Sequence, residues 1–174
     1  MSIYSRPSQP LICVGYTRPM QPKIRLYKPQ DFDDITRIWF DAETVAMPKL
    51  MERMGHTLED AREYFQRAVI AECQVWVYER DGVPLGFFSI QGDFLDRLYV
   101  DPAHHRHGIG QALLMKVRQL LPKHIWLYTH AANKMARSFY EKNGFVAEKF
   151  GVSPEPESEP DVEYHWWANP LHKK

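Results

Sequence analysis

Residues 94–120 read FLDRLYVDPAHHRHGIGQALLMKVRQL. Phe94–Val100 has the apolar and aromatic density of a strand, and Asp101–His107 is a polar loop. From about Gly108 the residues Ile109, Ala112, Leu113, Val117 and Leu120 share one helical face until Pro122 ends the pattern. A strand that runs through a glycine-containing loop into a helix N-terminus leaves several backbone N–H groups unpaired beside the positive end of the helix dipole. Such a place holds a phosphate or pyrophosphate, and Gly108 and Gly110 let a ligand approach the backbone. His105, Arg106 and His107 add side-chain donors, with Arg106 able to reach phosphate directly.

Upstream of this unit, Lys23–Tyr27 alternates like a strand. Asp31 is placed to cap a helix whose Phe32, Ile35, Ile38, Trp39 and Ala42 lie on one face. Met47–Gly55 reads as a loop or short irregular turn, and Thr57 with Asp60 opens a second helix through Leu58, Ala61, Phe65 and Ala68. Gln74–Glu79 and Pro84–Ile90 flank the turn dipeptide Asp81-Gly82, and Gln91-Gly92-Asp93 turns the chain again into Phe94–Val100. Downstream, Ile125–Thr129 is a strand and Asn133–Asn143 a helix, with Gly144 suited to a left-handed C-terminal position. Phe145–Phe150 and Val162–Trp167 are two closing strands. The order βααβββαβαββ predicts an α/β fold with a single mixed sheet and helices on both faces.

The length of 174 residues predicts one domain, residues 23–168, preceded by an extended or mobile segment 1–22 that contains Pro7, Pro10, Pro19 and Pro22 and followed by a tail, 169–174. At 44% hydrophobic residues the chain has material for a packed core. Lys plus Arg and Asp plus Glu both total 22, so bulk charge draws the protein to neither nucleic acid nor an anionic membrane, and Arg6, Arg18 and Lys23 are too sparse for a nucleic-acid footprint. No apolar run is long enough to span a bilayer, and Leu11–Val14 is too short for a signal segment. Cys13 and Cys73 form neither a disulfide framework nor a zinc pattern, so a cytoplasmic, soluble protein is expected, with a homodimer left open.

Three other readings of the glycine loop fit less well. A dinucleotide-binding GxGxxG needs its first glycine directly after the strand and a small third residue where this chain has Leu113. The P-loop pattern GxxxxGK[ST] does not occur. His104, His105 and His107 crowd one loop without helical i, i+4 pairing or an acidic partner, so no metal is expected.

The spacing from Val100 to Gly108-Ile109-Gly110, followed by Asn133, Ala136, Phe139, Tyr140, Gly144 and Phe145, resembles the GNAT family of N-acetyltransferases over roughly Lys23 to Trp167. The resemblance implies that Leu98, Tyr99 and Val100 lie on a strand splayed from its neighbour, whose backbone pairs with the pantetheine arm of acetyl-CoA. It implies that Arg106–Gln111 bind the pyrophosphate, with Gly108, Ile109, Gly110 and Gln111 contributing backbone N–H groups. His105 stands where the family pattern has Gln or Arg. Asn133 falls where an asparagine often bonds the CoA arm, and Tyr140 where a tyrosine lies near the acetyl sulfur.

The implied reaction is acetyl transfer from acetyl-CoA to a primary amine, with no metal. A neutral amine attacks the thioester, a backbone N–H near Val100 steadies the oxyanion, and Tyr140 protonates the thiolate. Asp96, a carboxylate in an otherwise apolar strand, is the candidate base. Tyr128 stands where relatives that acetylate protein N-termini often carry a glutamate. Glu155, Glu157, Glu159, Asp161 and Glu163, within Ser153–Glu163, would favour a cationic acceptor such as a polyamine, an aminoglycoside or a lysine side chain. Trp39, Met47, Met51 and Met54 are candidates to line its pocket. A non-catalytic acyl-CoA sensing module of the same fold is the alternative.

Overall fold

The computed structural model describes residues 21–169. Cys13, Leu11–Val14, Arg6, Arg18, most of the predicted N-terminal segment 1–22 and nearly all of the tail 169–174 lie outside the described residues.

The second, third and fourth strands form an antiparallel meander because each is joined to the next by a turn that glycine permits, and the first strand lies antiparallel beside the second. β1 (Lys23–Leu26) pairs with β2 (Gln74–Arg80), and β2 turns at Asp81 and Gly82, both with positive φ, into β3 (Val83–Gln91). Gly92, at φ 61°, turns β3 into β4 (Phe94–Val100). Between β1 and β2 the chain makes α1 (Phe32–Ala46), α2 (Pro48–Met54) and α3 (Leu58–Tyr64). A π-helical turn, Phe65–Val69, and the short α4 (Ile70–Glu72) continue α3. After β4, α5 (Ile109–Leu120) crosses over to β5 (His124–His130), α6 (Lys134–Lys142) follows, and β6 (Val146–Val152) and β7 (Pro160–Trp167) close the sheet. The sheet order is β1-β2-β3-β4-β5-β7-β6, antiparallel throughout except for β4 beside β5.

Each face of the sheet carries its own core, so helices cover both sides as the element order predicts. Ile35, Ile38 and Trp39 of α1, with Phe65 and Val69, pack on Val75, Val77 and Phe87. Leu113, Leu114 and Val117 of α5, with Tyr140 of α6, pack on Phe88, Ile125, Leu127 and Tyr164. β3, covered on both faces, is buried continuously from Pro84 to Ile90.

Three local expectations change. The predicted loop Met47–Gly55 contains α2, started by Pro48 and ended by Gly55 at φ 62°. Thr57 and Asp60 do form the predicted capping box, but the π turn brings Val69 rather than Ala68 into the core beside Phe65. Asp31 sits at the start of α1 without capping it. Its carboxylate takes two hydrogen bonds from Arg25, at 2.7 and 2.8 Å, and one from the Lys28 N–H, and these donors outweigh burial and hold it below the ordinary carboxylate range.

The feature that shapes the site is a β-bulge. Ser89 faces Arg97 and Ile90 faces Leu95, so Asp96 is the extra residue on β4. A bulged strand bends and twists, and β4 meets β5 at a single pair, Phe94 with Trp126. Beyond that pair the two strands part.

The loop between β6 and β7 is tied back over α2 and β5. Arg53 bonds the Glu157 carbonyl at 2.8 Å and pairs with the Glu159 carboxylate, while His130 Nε2 lies 3.4 Å from Glu157 Oε2. The Glu157 hydrogen bond raises the His130 pKa above its ordinary 6.5 against the opposing effect of burial, and the same bond lowers Glu157 below 4.5.

Two stability predictions follow from this packing. A Cβ at Gly86 would lie 2.9 Å from the Tyr99 carbonyl oxygen, 3.2 Å from Leu113 Cδ1 and 3.3 Å from Ile109 Cγ2. The carbonyl cannot retreat without breaking the β3–β4 pairing, so Gly86→Ala lowers stability in urea denaturation by about 1–3 kcal/mol. The His130–Glu157 tie stabilises fully below pH 6.5 from the histidine side and is lost as pH rises through the raised value; from the glutamate side it is lost as pH falls below 4.5. Glu157 is 38% exposed, so His130→Gln costs less than about 1 kcal/mol. Thermal melts from pH 5 to 9 will show that deficit near pH 6 and its disappearance toward pH 9.

Candidate active site

The parting of β4 and β5 opens a cleft of about 510 Å³ between the two halves of the sheet. In the antiparallel β3–β4 ladder Asp101 N–H bonds the Leu85 carbonyl at 3.0 Å, so the pairs two apart are hydrogen-bonded and Gly86–Val100 is not. The backbone groups of Leu98 and Val100 therefore point away from β3, toward the cleft. His105 Nε2 lies 3.0 Å from the Val100 carbonyl and donates to it, drawing the following loop onto the end of the strand. The residue that departs from the family pattern is thus a fastener of this loop.

The loop itself is fixed at several points. Asp101 accepts from Ala103 N–H at 2.9 Å and lies 3.6 Å from the Arg37 guanidinium of α1. Arg106 and Gly108 adopt positive φ, 63° and 79°, and α5 begins at Ile109. A left-handed residue followed by a right-handed one, as Gly108 is by the first residue of α5, turns successive N–H groups toward a concavity that suits an anion. The first-turn N–H groups at Ile109, Gly110 and Gln111 have no intrahelical acceptor and add to it. A Cβ on Gly110 would enter ordinary contact with Phe139 and Val100, which measures how closely these walls approach.

Leu98, Tyr99, Val100, His105, Arg106, Gly108, Ile109, Gly110, Gln111, Asn133 and Tyr140 all line this cleft. His107 is not among its lining residues; its Nδ1 turns back to the His105 carbonyl at 2.9 Å. Asn133 lines the cleft but spends its Oδ1 on the Ala136 N–H, capping α6, so a ligand could take only its NH₂. Tyr140 is 7% exposed and packed edge-to-face against Phe139 and Phe145. Burial raises its phenol pKa, so the hydroxyl enters any reaction protonated.

Asp96 also lines the cleft, but its Oδ2 takes three donors: the Ser89 hydroxyl at 2.8 Å, the Cys73 thiol at 3.7 Å and the Arg97 guanidinium. Burial, aided by the Asp96 charge, pushes the Cys73 thiol up to about 11, which keeps it a donor. Arg97 lies over the rings of Trp39 and Tyr64, 4.5 and 5.2 Å from their centroids.

A second cleft of about 450 Å³ lies on the other side of Arg97, between α1, α3 and the β6–β7 loop. Of the four candidates for an acceptor pocket, Trp39 and Met51 line this cleft, and Met47 and Met54 are not among its lining residues. Of the acidic loop, Glu157 reaches this cleft while paired with His130, and Glu159 pairs with Arg53. Glu163 is held by Lys149, His165 and the Tyr128 hydroxyl at 2.7–2.8 Å, which bring it down to about 2. Internal cations thus offset much of the charge expected to recruit an acceptor. Among the described residues no group of three or more His, Cys, Asp or Glu could hold a metal ion, and no helix is long and apolar enough to cross a membrane.

The sequence reading did not single out Arg97 or Glu43, although Glu43 stands four residues after Trp39 on α1. It lines the second cleft and accepts the Tyr99 hydroxyl at 2.8 Å. The helical step from Trp39 was the available signal.

The chain is similar to known proteins. Peptidyl-lysine N-acetyltransferase YiaC of Escherichia coli (strain K12) is 34% identical over 123 residues, spanning 70% of this chain and 82% of its own. Peptidyl-lysine N-acetyltransferase YjaB of the same strain is 27% identical over 124 residues, 70% and 80% of the two chains. The solution structure of apo YjaB superposes with a TM-score of 0.69 at 22% identity over 84% of this chain and 97% of that one. PaiA N-acetyltransferase from Thermoplasma acidophilum, solved in complex with coenzyme A, gives 0.61 at 21% identity over 84% and 100%. These two structures share the fold. The model of the acetyltransferase (GNAT) family matches residues 32–145, and with a cleft built from the strand, loop and helix inside that span, the chain belongs to the GNAT family and is an acyltransferase that uses acetyl-CoA.

Proposed function

We propose that the protein transfers the acetyl group of acetyl-CoA to the ε-amine of a lysine side chain in a protein or peptide. The observation that carries the reading is the unpaired edge of β4 running directly into the N–H concavity at Arg106–Gly108, with Tyr140 on the same cleft. That arrangement offers strand-like hydrogen bonds to an amide-containing arm and an anion cradle at its end, which is the chemistry of pantetheine followed by pyrophosphate. The lysine acceptor is supported by the similarity to the peptidyl-lysine N-acetyltransferases YiaC and YjaB and by the carboxylates Glu43 and Glu157 in the adjoining cleft.

In this reading Leu98 and Val100 align the arm, and the Val100 N–H meets the thioester carbonyl oxygen as negative charge develops on it. The amine nitrogen bonds to the carbonyl carbon, and the tetrahedral intermediate collapses by breaking the C–S bond. The sulfur leaves with the electron pair and takes a proton through the Tyr140 hydroxyl. Asp96 acts here by neutralising Arg97 rather than by accepting a proton, since its Oδ2 already takes three donors.

Incubation with acetyl-CoA and lysine peptides will release CoA thiol, and mass spectrometry will locate the acetyl group on the ε-nitrogen. Tight acetyl-CoA binding without turnover on any amine would instead mark a sensing module. Tyr140→Phe is expected to lower kcat by about 10²-fold, with little change in the acetyl-CoA dissociation constant. Gly108→Val forces a β-branched residue into φ 79°, at a cost of about 1–2 kcal/mol, and will weaken acetyl-CoA binding roughly 5–30-fold by calorimetry.

A further inference from the structure

The two clefts are separated by one turn of α1. Ala42 and Ala46 line the cofactor cleft, and Glu43 between them lines the second. Tyr99 reaches Glu43 from the opposite side: its ring belongs to β4 and lines the cofactor cleft, and its hydroxyl donates to Glu43 Oε1 at 2.8 Å. Burial and the Glu43 charge both raise the Tyr99 phenol, so it remains a donor. One carboxylate oxygen is thereby fixed to the strand that would hold the thioester, while the side chain fronts the cleft on the acceptor side.

Three of the other acids near this junction are engaged elsewhere. Asp96 takes three donors on one oxygen. Asp60 is locked in the α3 capping box by the Thr57 N–H and hydroxyl at 2.8 and 2.6 Å. Glu157 pairs with His130. Glu63 lines the second cleft from exposed positions of α3, an element with no residue on the cofactor cleft.

We infer that Glu43, steadied by the Tyr99 hydroxyl in the wall between the clefts, is the general base that deprotonates the acceptor ammonium. The inference rests on the reading of the protein as an amine acetylase and names the residue that the reading lacks. A lysine ammonium has a pKa of about 10.4, so only roughly 1 in 2,500 is neutral at pH 7, and a base at the acceptor cleft is needed to supply the nucleophile. The nitrogen loses two protons in all. One passes to the Glu43 carboxylate and on to solvent before attack; the other leaves the tetrahedral intermediate and ends on the CoA sulfur. Tyr99 is a positioning residue, since it touches the base and not the amine.

The test is kcat/KM for a lysine peptide from pH 7 to 10 in wild type, Glu43→Gln and Tyr99→Phe, with acetyl-CoA binding measured on each. Glu43→Gln is expected to lose about 10²–10³-fold at pH 7 with acetyl-CoA affinity within about twofold of wild type, and the deficit should narrow toward pH 10 as the amine deprotonates unaided. Tyr99→Phe keeps the ring packed against Trp39 and Phe87 and should lose about 5–10-fold, with the same convergence at high pH. A deficit in Glu43→Gln that is constant across pH, or smaller than about threefold, overturns the assignment while wild-type turnover leaves the acetylase reading intact. No turnover by wild type on any amine overturns the acetylase reading and the base with it. Should Glu43→Gln fail to bind acetyl-CoA, Tyr99→Phe decides: wild-type kcat/KM at every pH overturns the inference.

Discussion

Backbone N–H and C=O groups inside a sheet need partners, and in this protein β4 is denied them along one edge. It pairs with β3 on both sides of the bulge and with β5 at the single pair Phe94–Trp126, so beyond the bulge at Asp96 its outward-facing groups at Leu98 and Val100 have no strand to meet. An unpaired edge inside a sheet is costly unless something occupies it. Here the opening is kept from closing by the helices that flank it. α5 and α6 pack on one face through Leu113, Val117 and Tyr140, and α1 packs on the other through Ile38 and Trp39. The cleft is therefore a consequence of the sheet register, and on the proposed reading a ligand with amide groups would complete the hydrogen bonding that the chain leaves open.

The same strand serves the second cleft through its side chains. Side chains alternate along a strand, but the bulge interrupts the alternation at Asp96. Leu95 and Leu98 pack in the core beneath α5, whereas Tyr99 packs against the core of α1 and Arg97 lies over Trp39 and Tyr64. Asp96 bonds Ser89 and Cys73 beside Arg97, so the extra residue supplies a countercharge next to a guanidinium that is only 14% exposed. One irregularity in pairing both opens the cofactor cleft and neutralises the cation at the junction of the two clefts.

Much of this was legible in the chain itself. The run from Phe94 to Leu120 changes period from strand to helix across two glycines, and both the concavity and the start of α5 follow from that local chemistry. The capping box at Thr57 and the left-handed Gly144 were readable for the same reason: each is decided within a few residues. What could not be read is decided between distant segments. α2 has only seven residues, too few to show a period. The bulge at Asp96 is a property of register against β3, and a single strand does not display its partner's alignment. Asp31 has the composition of a helix cap, yet Arg25 six residues earlier holds it in an ion pair.

Charge distribution follows the same division between local and distant. The chain's formal charge is zero, and its acidic stretch Ser153–Glu163 invites a reading as an electrostatic funnel for cations. In the folded protein Glu157, Glu159 and Glu163 are met by His130, Arg53 and Lys149, so most of that potential is consumed in fastening the loop over α2 and β5. The backbone at the start of α5 is different in kind. Arg106 contributes a charge there, but the N–H groups at the start of α5 are backbone and have no acidic partner to cancel them. On the proposed reading, recognition at the cofactor end rests on fixed dipoles and does not need a side-chain donor from His105. On the same reading, recognition at the acceptor end rests on a few side chains, chiefly Glu43, whose position depends on the contact between α1 and β4 that no local sequence window contains.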